Sequence, residues 1–266
     1  MVSGGFDGQI IMWALSDKRA IYNINSNHNF VKGLCFSNTG EEFFSCGDDM
    51  TISLWNKTNL ASQKLKFEQN NFTNNNTGDI VTNYNYKPKN IYKIDTFLEN
   101  IDHSYYEPMF ATSGGVVALW NYERSQPLYK FTNCSDGFIK VRFNYIESHI
   151  MLATGYDRSI CLYDTRTNNP LKNVVLKNKS SAACWNPQEP FTFTVGNEDS
   201  NCYTFDMRKL DNISLIHKDN ILTVLDLDYS PTGKEFVTGS YDKTIRIFNS
   251  NEGKSREVYH TKRMQK

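Results

Sequence analysis

Two aspartates on one predicted strand, Asp226 and Asp228, are the first candidates for chemistry, because residues two apart in a strand share one face. Paired carboxylates of this kind can act as general acid and base. The nearby pair Gly233-Lys234 is not a phosphate-binding P-loop, since Asp228 stands where that motif needs a glycine. The sequence also lacks G-x-S-x-G, H-E-x-x-H and G-x-G-x-x-G patterns. We therefore predict that the protein is not an enzyme and has no catalytic residues, cofactor or small-molecule substrate.

Histidine and cysteine could act as metal ligands or nucleophiles. His28 and His217 have no second His or Cys at ligand spacing. The cysteines form no C-x-x-C pair, and four of the six lie in apolar runs; they are Cys35, Cys46, Cys134, Cys161, Cys184 and Cys202. We predict reduced, buried thiols in a cytosolic or nuclear protein, and no metal site.

Composition narrows the function classes further. The chain has 266 residues, of which 39% are hydrophobic and 14% aromatic, so a sizeable core and β-structure are expected. With 29 Lys+Arg against 29 Asp+Glu, the net charge is zero, which argues against nucleic-acid binding by bulk positive charge. No apolar run of about 18 residues occurs, so no membrane association is expected.

One pattern recurs along the chain: a cluster of small residues, an aspartate, and an aromatic residue six positions later. The pairs are Asp7–Trp13, Asp49–Trp55, Asp157–Tyr163, Asp199–Phe205 and Asp242–Phe248, and a weaker copy without the aspartate ends at Trp120. Successive aromatics lie 42, 65, 43, 42 and 43 residues apart. The strand-like runs alternate with period two, and no comparable stretch shows helical periodicity. A period of about 40–45 residues is typical of an all-β propeller with four strands per blade.

These repeats resemble those of the WD-repeat (WD40) family, with Tyr or Phe replacing Trp in the later copies. The resemblance implies that each turn aspartate accepts hydrogen bonds from backbone and from a histidine before the first strand. His28 lies 21 residues before Asp49, and His217 lies 25 residues before Asp242, so both fit that histidine position. It thus implies structural roles for Asp7, Trp13, His28, Asp49, Trp55, Trp120, Asp157, Tyr163, Asp199, Phe205, His217, Asp242 and Phe248.

The interval of 65 residues indicates an insertion, which we interpret as an Asn-rich, disordered loop between blades at about residues 68–90. Residues 1–4 resemble the end of a blade's second strand, and 18 residues follow Phe248, enough for one outer strand at 255–260. Propellers of this family have seven blades. We therefore expect a propeller over residues 1–266 that is truncated at both ends, with about five complete blades plus partial blades.

A closer resemblance is carried by residues 184–187, 197–199, 203–208, 228–237 and above all 255–265, a stretch that the general WD pattern does not require. These segments are similar to the Sof-type (suppressor of fibrillarin) WD-repeat family, and the similarity covers residues 1–60 and 105–266. It implies a nucleolar, non-catalytic scaffold of the small-subunit processome that supports processing of 18S ribosomal RNA. The implied partners are processome proteins and the precursor RNA with its box C/D ribonucleoprotein.

Two D-x-R boxes point to a further partner. Asp164 and Arg166 end one repeat, and Asp206 and Arg208 end the next. They are similar to the W-D-x-R box of WD-repeat substrate receptors, whose arginine contacts the adaptor of a cullin-RING ubiquitin ligase. An arginine offers a rigid fork of donors that suits interfaces. The alternative interpretation is an ion pair within each blade.

Basic residues cluster at the C-terminal end of the chain. We predict that Lys254, Arg256, Lys262 and Arg263 form an RNA or partner patch; the alternative is a solvated strand and tail. Three hypotheses of function remain open: a ribosome-assembly scaffold, a ubiquitin-ligase substrate receptor, and a generic WD40 protein-interaction scaffold.

Overall fold

The computed structural model describes residues 1–26, 28–72, 86–167 and 169–261. These residues form six antiparallel sheets, one three-stranded and five four-stranded, each built from consecutive strands. The all-β propeller class is therefore confirmed, and the sheets are its blades. The expected blade count is corrected: the described residues form six blades, not about five complete blades plus partial blades of a seven-bladed ring. We number the blades 1–6 in chain order.

The strands of the first three blades have the following bounds. Blade 1 contains β1 (Val2–Gly4), β2 (Gln9–Ala14) and β3 (Arg19–Asn25); blade 2 contains β4 (Val31–Phe36), β5 (Glu42–Gly47), β6 (Thr51–Asn56) and β7 (Asn90–Lys93); blade 3 contains β8 (Leu98–His103), β9 (Met109–Gly114), β10 (Val117–Asn121) and β11 (Tyr129–Phe131).

The last three blades are each complete. Blade 4 contains β12 (Phe138–Phe143), β13 (Ile150–Gly155), β14 (Ser159–Asp164) and β15 (Pro170–Val175); blade 5 contains β16 (Ser180–Trp185), β17 (Thr192–Asn197), β18 (Cys202–Asp206) and β19 (Ile213–His217); blade 6 contains β20 (Val224–Tyr229), β21 (Glu235–Ser240), β22 (Thr244–Asn249) and β23 (Ser255–His260). The outer strand expected at 255–260 is thus present as β23.

The insertion lies inside blade 2 rather than between blades, because it joins β6 to the outer strand β7. Its first part is a helix, α1 (Lys57–Phe72), which the sequence analysis did not predict. The helix begins because the Asn56 side chain accepts hydrogen bonds from the amides of Thr58 (2.9 Å) and Asn59 (3.3 Å). Leu60 is buried while Leu65 is 60% exposed, so no apolar stripe reveals the helix in the sequence.

The predicted disorder at residues 68–90 is corrected at both ends of that range. Residues 68–72 belong to α1, and Tyr86 at the far end is buried. Gln63 also holds the returning chain, since its side-chain oxygen accepts the Lys87 amide at 2.8 Å. Residues 73–85 lie outside the described residues, so the prediction stays a prediction there.

The core lies between blades, not within one sheet. Five hydrophobic clusters join blade 1 to 2, 2 to 3, 3 to 4, 4 to 5 and 5 to 6 in turn. Blades 2 to 5 each bury both faces against two neighbours, which is why their strands are apolar on both sides, whereas the described residues of blades 1 and 6 pack against one neighbour each. Among the described residues, no such cluster joins blade 6 to blade 1.

The blades present two opposite faces. In blades 2 to 6 the turns between second and third strands lie at one end, and in the three-stranded blade 1 the β1–β2 turn is the equivalent one. These turns include all the aspartate turns, and we call this end the upper face. In blades 2 to 6 the first-to-second and third-to-fourth turns lie at the other end, the lower face. The lower face is tied together by asparagines: the side-chain amides of Asn144 and Asn186 donate to Pro190 O (2.7 Å) and Gly233 O (3.0 Å) of the next blade.

Candidate interaction faces of the propeller

Every predicted turn aspartate shapes a turn on the upper face in the same way. Its Oδ1 accepts the backbone N–H two residues further on, and the residue between has a positive φ. The acceptor–donor pairs are Asp7–Gln9 (3.1 Å), Asp49–Thr51 (3.3 Å), Asp157–Ser159 (2.9 Å), Asp199–Asn201 (3.0 Å) and Asp242–Thr244 (2.8 Å). The intervening residues are Gly8, Met50, Arg158, Ser200 and Lys243, with φ between 60° and 71°. The aspartate thus stabilises a left-handed residue that would otherwise strain the turn.

Blade 2 carries the full hydrogen-bond network that the WD-repeat resemblance implies. His28 Nδ1 lies 2.8 Å from Asp49 Oδ1, and His28 Nε2 lies 3.0 Å from Ser45 Oγ. The Trp55 indole N–H donates to the same Ser45 oxygen at 3.0 Å. The chain of contacts runs from the surface turn to the blade interior, and His28, Ser45 and Trp55 are all buried. Buried polar groups of this kind stabilise a fold only when all are paired.

The expected pairing of His217 with Asp242 is wrong. His217 belongs to β19 of blade 5, where its Nε2 lies 2.9 Å from Thr204 Oγ1 and its Nδ1 lies 2.7 Å from Glu252 O. Burial lowers the pKa of His217, so the imidazole bridges blades 5 and 6 as a neutral group. The spacing between histidine and aspartate is four residues longer for His217–Asp242 than for His28–Asp49. Those four residues place His217 in β19, the last strand of the preceding blade.

Two other residues take the histidine position, and the sequence analysis missed both. In blade 6, Asn220 is buried and its Oδ1 accepts from Thr238 Oγ1 at 3.3 Å. In blade 4, the buried Cys134 lies beside Asp157. Burial alone would raise the pKa of Asp157, but hydrogen bonds from Ser159 and the Cys134 thiol bring it below its usual value. These two residues could have been found by their distance from the aspartate, because Asn220 precedes Asp242 by 22 residues and Cys134 precedes Asp157 by 23, close to the 21 residues between His28 and Asp49.

The predicted aromatic positions are buried, apart from the partly exposed Trp13 of blade 1. The Trp13 and Trp120 indole N–H groups donate to Ser3 Oγ (2.8 Å) and Thr112 Oγ1 (3.1 Å). In four blades the aromatic stacks on a phenylalanine of the neighbouring strand, with ring planes within 21° of each other; these pairs are Phe43–Trp55, Phe110–Trp120, Phe193–Phe205 and Phe236–Phe248. Phe205 and Phe248 replace tryptophan because stacking needs no indole N–H.

The two D-x-R boxes form matching ion pairs on the lower face. Arg166 Nη2 lies 2.7 Å from Asp164 Oδ2, and Arg208 Nη2 lies 2.6 Å from Asp206 Oδ2. The interpretation as an ion pair within the blade is therefore correct in both boxes. Hydrogen bonding from the arginine lowers the pKa of each aspartate. The guanidinium side chains nevertheless remain 64% and 61% exposed, so each is held in one orientation at the surface.

The C-terminal basic patch is less positive than its sequence indicates. Arg256 contacts Glu235 and also lies 3.0 Å from Glu257 Oε1. Lys254 is exposed in the turn before β23. Lys262 and Arg263 lie outside the described residues, and their role stays a prediction.

The carboxylates that first suggested chemistry are engaged separately. Asp226 Oδ1 lies 3.0 Å from Lys140 Nζ, whereas Asp228 Oδ1 accepts a hydrogen bond from the Cys184 thiol at 3.1 Å. Within the described ranges, no three His, Cys, Asp or Glu side chains lie close enough to hold a metal ion. The same part of the chain has no helix with the length and apolar character to cross a membrane.

Comparison with known proteins supports this architecture. The family "WD domain, G-beta repeat" matches residues 20–56 and 214–249. The chain is 41% identical over 265 residues to "DDB1- and CUL4-associated factor 13" of Xenopus laevis and 40% identical over 265 residues to the Homo sapiens protein of that name. It is 36% identical over 276 residues to "Protein SOF1" of Saccharomyces cerevisiae. These alignments cover 100% of this chain and 55% of each relative, so the chain spans about half the length of the curated relatives it matches.

The blades, the repeated aspartate turn and the blade 2 network define the class as a WD-repeat β-propeller. Within that class, the whole length of the chain is similar to relatives that include "Protein SOF1". The resemblance stated from residues 184–187 and 255–265 is thereby confirmed.

Proposed function

We propose that this chain is a non-catalytic scaffold of the nucleolar small-subunit processome, supporting the processing of 18S ribosomal RNA and small-subunit assembly. The observation that carries the proposal is the alignment of the entire chain with "Protein SOF1", together with the Sof-type segment 255–265. Fold resemblance alone would not indicate a function, since propellers host many.

The described polar residues support a scaffold over a catalyst. The aspartates hold turns, His28 and His217 are satisfied within the core, and Asp226 and Asp228 have separate partners. A catalytic site needs a base or nucleophile beside a space for the reacting atom. The residues that carry the sequence motifs are used for structure.

The charge distribution favours protein partners over bare RNA for the described part of the chain. Arg256 is neutralised by two carboxylates, and the net charge of the chain is zero. Phosphate-backbone binding depends on free Lys and Arg side chains. We therefore expect docking to processome proteins, with any contact to precursor RNA or the box C/D ribonucleoprotein made through Lys254, Lys262 and Arg263.

The test is to tag the full-length endogenous protein and identify co-purifying partners by mass spectrometry, with and without ribonuclease. We expect nucleolar staining and recovery of processome subunits and box C/D proteins, most of which persist after ribonuclease. Complete loss on ribonuclease would show that RNA makes the contact. Absence of processome subunits from both samples would overturn the assignment.

A second candidate function is that of a substrate receptor of a cullin-RING ubiquitin ligase. It is favoured by Arg166 and Arg208, which two consecutive blades hold in matching, exposed orientations on the lower face. The Xenopus laevis and Homo sapiens relatives described above carry a name that states association with DDB1 and CUL4. An exposed arginine held by its own aspartate loses little entropy on docking, which suits an interface anchor.

The double variant Arg166→Ala, Arg208→Ala in the full-length protein tests this candidate. We expect at least tenfold weaker capture of the ligase adaptor, which is about 1.4 kcal/mol. Arg124→Ala is the matched control, because Arg124 follows Trp120 on the same face but has Asn121 in place of the box aspartate. Unchanged capture by the double variant would remove the receptor hypothesis without affecting the processome proposal.

A further inference from the structure

A cavity of about 300 Å³ opens on the lower face between blades 2 and 3. This volume is at the lower end of the range in which proteins bind small ligands or single side chains. Its lining combines aromatic rings with two carboxylates, and the residues that matter here are Glu42, His103, Tyr105, Tyr106, Glu107 and Tyr122. None of them belongs to a sequence motif discussed above.

The floor of the cavity is rigid. The Tyr122 hydroxyl and His103 Nε2 are hydrogen-bonded to each other, and both rings pack on Phe44 of blade 2 with centroid distances of 5.3 and 5.9 Å. Phe44 is fully buried. The floor is therefore preorganised by the core between the two blades.

The rim carries two large aromatic side chains that are not used in packing. Tyr105 and Tyr106 are 53% and 58% exposed and meet edge to face at a centroid distance of 5.6 Å. Their turn is held from below, because the Asn38 side chain donates to Tyr105 O and the Glu107 amide donates to Ser104 Oγ at 3.3 Å. Exposed tyrosines on a held turn bind partners at low entropic cost.

The cavity also carries a carboxylate that no described residue pairs at close range. Glu42 is paired with Lys89 at 2.6 Å, but Glu107 is 38% exposed and only a long contact of 3.7 Å joins it to His149 Nδ1. Burial lowers the pKa of His103 to about 4 and raises that of Tyr122, so both rings stay uncharged at pH 7. A cation entering the cavity thus meets aromatic faces and a carboxylate without a competing positive charge from the floor.

We propose that this cavity binds an arginine side chain of a partner protein, with the guanidinium on the Tyr105 and Tyr106 rings and its N–H groups on the Glu107 carboxylate. Arginine fits better than lysine because its planar, weakly hydrated guanidinium both stacks on aromatic rings and pairs with carboxylates in a fork. This proposal goes beyond the proposed function, because it names the side chain that the cavity binds and holds whichever complex the partner protein belongs to.

The test is to titrate Nα-acetyl-argininamide into the isotopically labelled 266-residue chain and follow backbone amide shifts by NMR. We expect saturable shifts confined to residues 37–42 and 103–108 at millimolar probe. The neutral isostere Nα-acetyl-citrullinamide should bind at least about fivefold more weakly, because it lacks the charge that Glu107 attracts. Nα-acetyl-lysinamide should also bind more weakly than the arginine probe.

Variants on the exposed turn identify the contacts. Glu107→Gln should weaken binding of the arginine probe about threefold to fivefold, whereas Glu123→Gln, the same change at an exposed position outside the cavity, should have no effect. Tyr106→Ala should weaken binding about threefold and Tyr106→Phe should not.

Three outcomes would overturn the proposal: equal binding of the arginine and citrulline probes, equal or tighter binding of the lysine probe, or unchanged affinity in Glu107→Gln. The titration contains no processome or ligase component. Its outcome is therefore independent of the proposed function.

Discussion

Blades 2 and 4 share one backbone design but fill it with different chemistry. Both have the aspartate turn, with a left-handed residue between Asp49 and Thr51 and between Asp157 and Ser159. Blade 2 then links its turn to the core through His28, Ser45 and Trp55. Blade 4 has a weaker chain made through sulfur, in which Ser159 hydrogen-bonds Asp157 and the Cys161 thiol lies 3.7 Å from Ser159 Oγ.

In blade 4, Tyr163 takes the position of the tryptophan, and packing of its ring on the neighbouring blade replaces the hydrogen bond that the indole N–H makes in blade 2. Its buried hydroxyl lies beside the Cys161 thiol, and Thr154 Oγ1 is buried without a hydrogen-bond partner among the described residues. The Tyr163 ring instead packs on Phe131 of blade 3, at a centroid distance of 4.4 Å. The two blades thus share the turn aspartate but anchor it differently, through a buried imidazole network in blade 2 and through thiol contacts and aromatic packing in blade 4.

The largest expected difference between the blades concerns the residue before the first strand. His28→Ala removes the imidazole that joins Asp49 to Ser45 and leaves a void in the core, although Thr51 and Trp55 still donate to those two side chains. We expect a loss of about 2–4 kcal/mol of unfolding free energy. Cys134→Ala, the matched change in blade 4, removes a weaker thiol contact and should cost about 1 kcal/mol. Urea denaturation of both variants measures this, and equal losses would contradict the comparison.

Trp55→Phe tests the hydrogen bond at the other end of the blade 2 network. The variant keeps the stacking on Phe43 but loses the indole N–H to Ser45 and leaves a small void. We expect a loss of about 2 kcal/mol in urea denaturation. A variant as stable as the native protein would show that stacking alone anchors blade 2.

A smaller, pH-dependent effect should distinguish the lower ends of the two blades. Asp164 of blade 4 occupies the register position that Asn56 occupies in blade 2. Hydrogen bonding from Arg166 lowers the pKa of Asp164 below its ordinary 3.8. Since the folded-state pKa is the lower one, the stabilisation is fully present above about pH 4 and is lost as pH falls through the folded-state pKa.

Asp164→Asn should therefore cost about 0.5–1 kcal/mol at pH 7, and the difference from the native protein should shrink as pH falls below 3.8. Urea denaturation at pH 7, 5 and 3 measures the change. Asn56→Asp in blade 2 is a useful counterpart, although it also alters the cap of α1. A difference that stays constant down to pH 3 would argue against the ion pair as its source.

The smallest effect is expected for Tyr163→Phe. The buried hydroxyl gains little hydrogen-bond energy to offset the loss of its hydration. Its removal should therefore change the free energy of unfolding by less than about 0.5 kcal/mol in either direction. The Thr112→Val variant in blade 3, where the threonine does accept a tryptophan N–H, should by contrast be destabilising by about 1 kcal/mol. A large loss of stability in Tyr163→Phe would show that the hydroxyl makes a strong hydrogen bond, so that blade 4 would be anchored by hydrogen bonds as blade 2 is.

Much of the fold could be predicted because it depends on residues that are close together in the sequence. The Asp–aromatic spacing predicted the aspartate turns and the buried aromatic that follows each of them in blades 2, 4, 5 and 6, and the short C-terminal segment predicted β23. These features depend on residues within one hairpin, where a turn fixes the register.

Other features were missed because they depend on partners far apart in sequence. The α1 helix has no apolar stripe, and Asn56, Leu60 and Gln63 hold it through contacts with the turn and the returning chain. His217 fitted the spacing of the histidine position, but the strand β19 placed it in blade 5. The cavity beside Tyr106 and Glu107 is formed by turns of two blades and follows no motif.

The sequence by itself determined the repeat, the turn aspartates and the buried aromatics, because these follow from hydrogen bonds and alternation within a few residues. Only the tertiary structure decided which polar residue meets each aspartate, whether Arg166 and Arg208 are free or paired, and where aromatic and acidic side chains converge on the lower face. The physical reason is that neighbouring blades pack face to face across more than 40 residues of chain, so side-chain geometry between them is set by that packing.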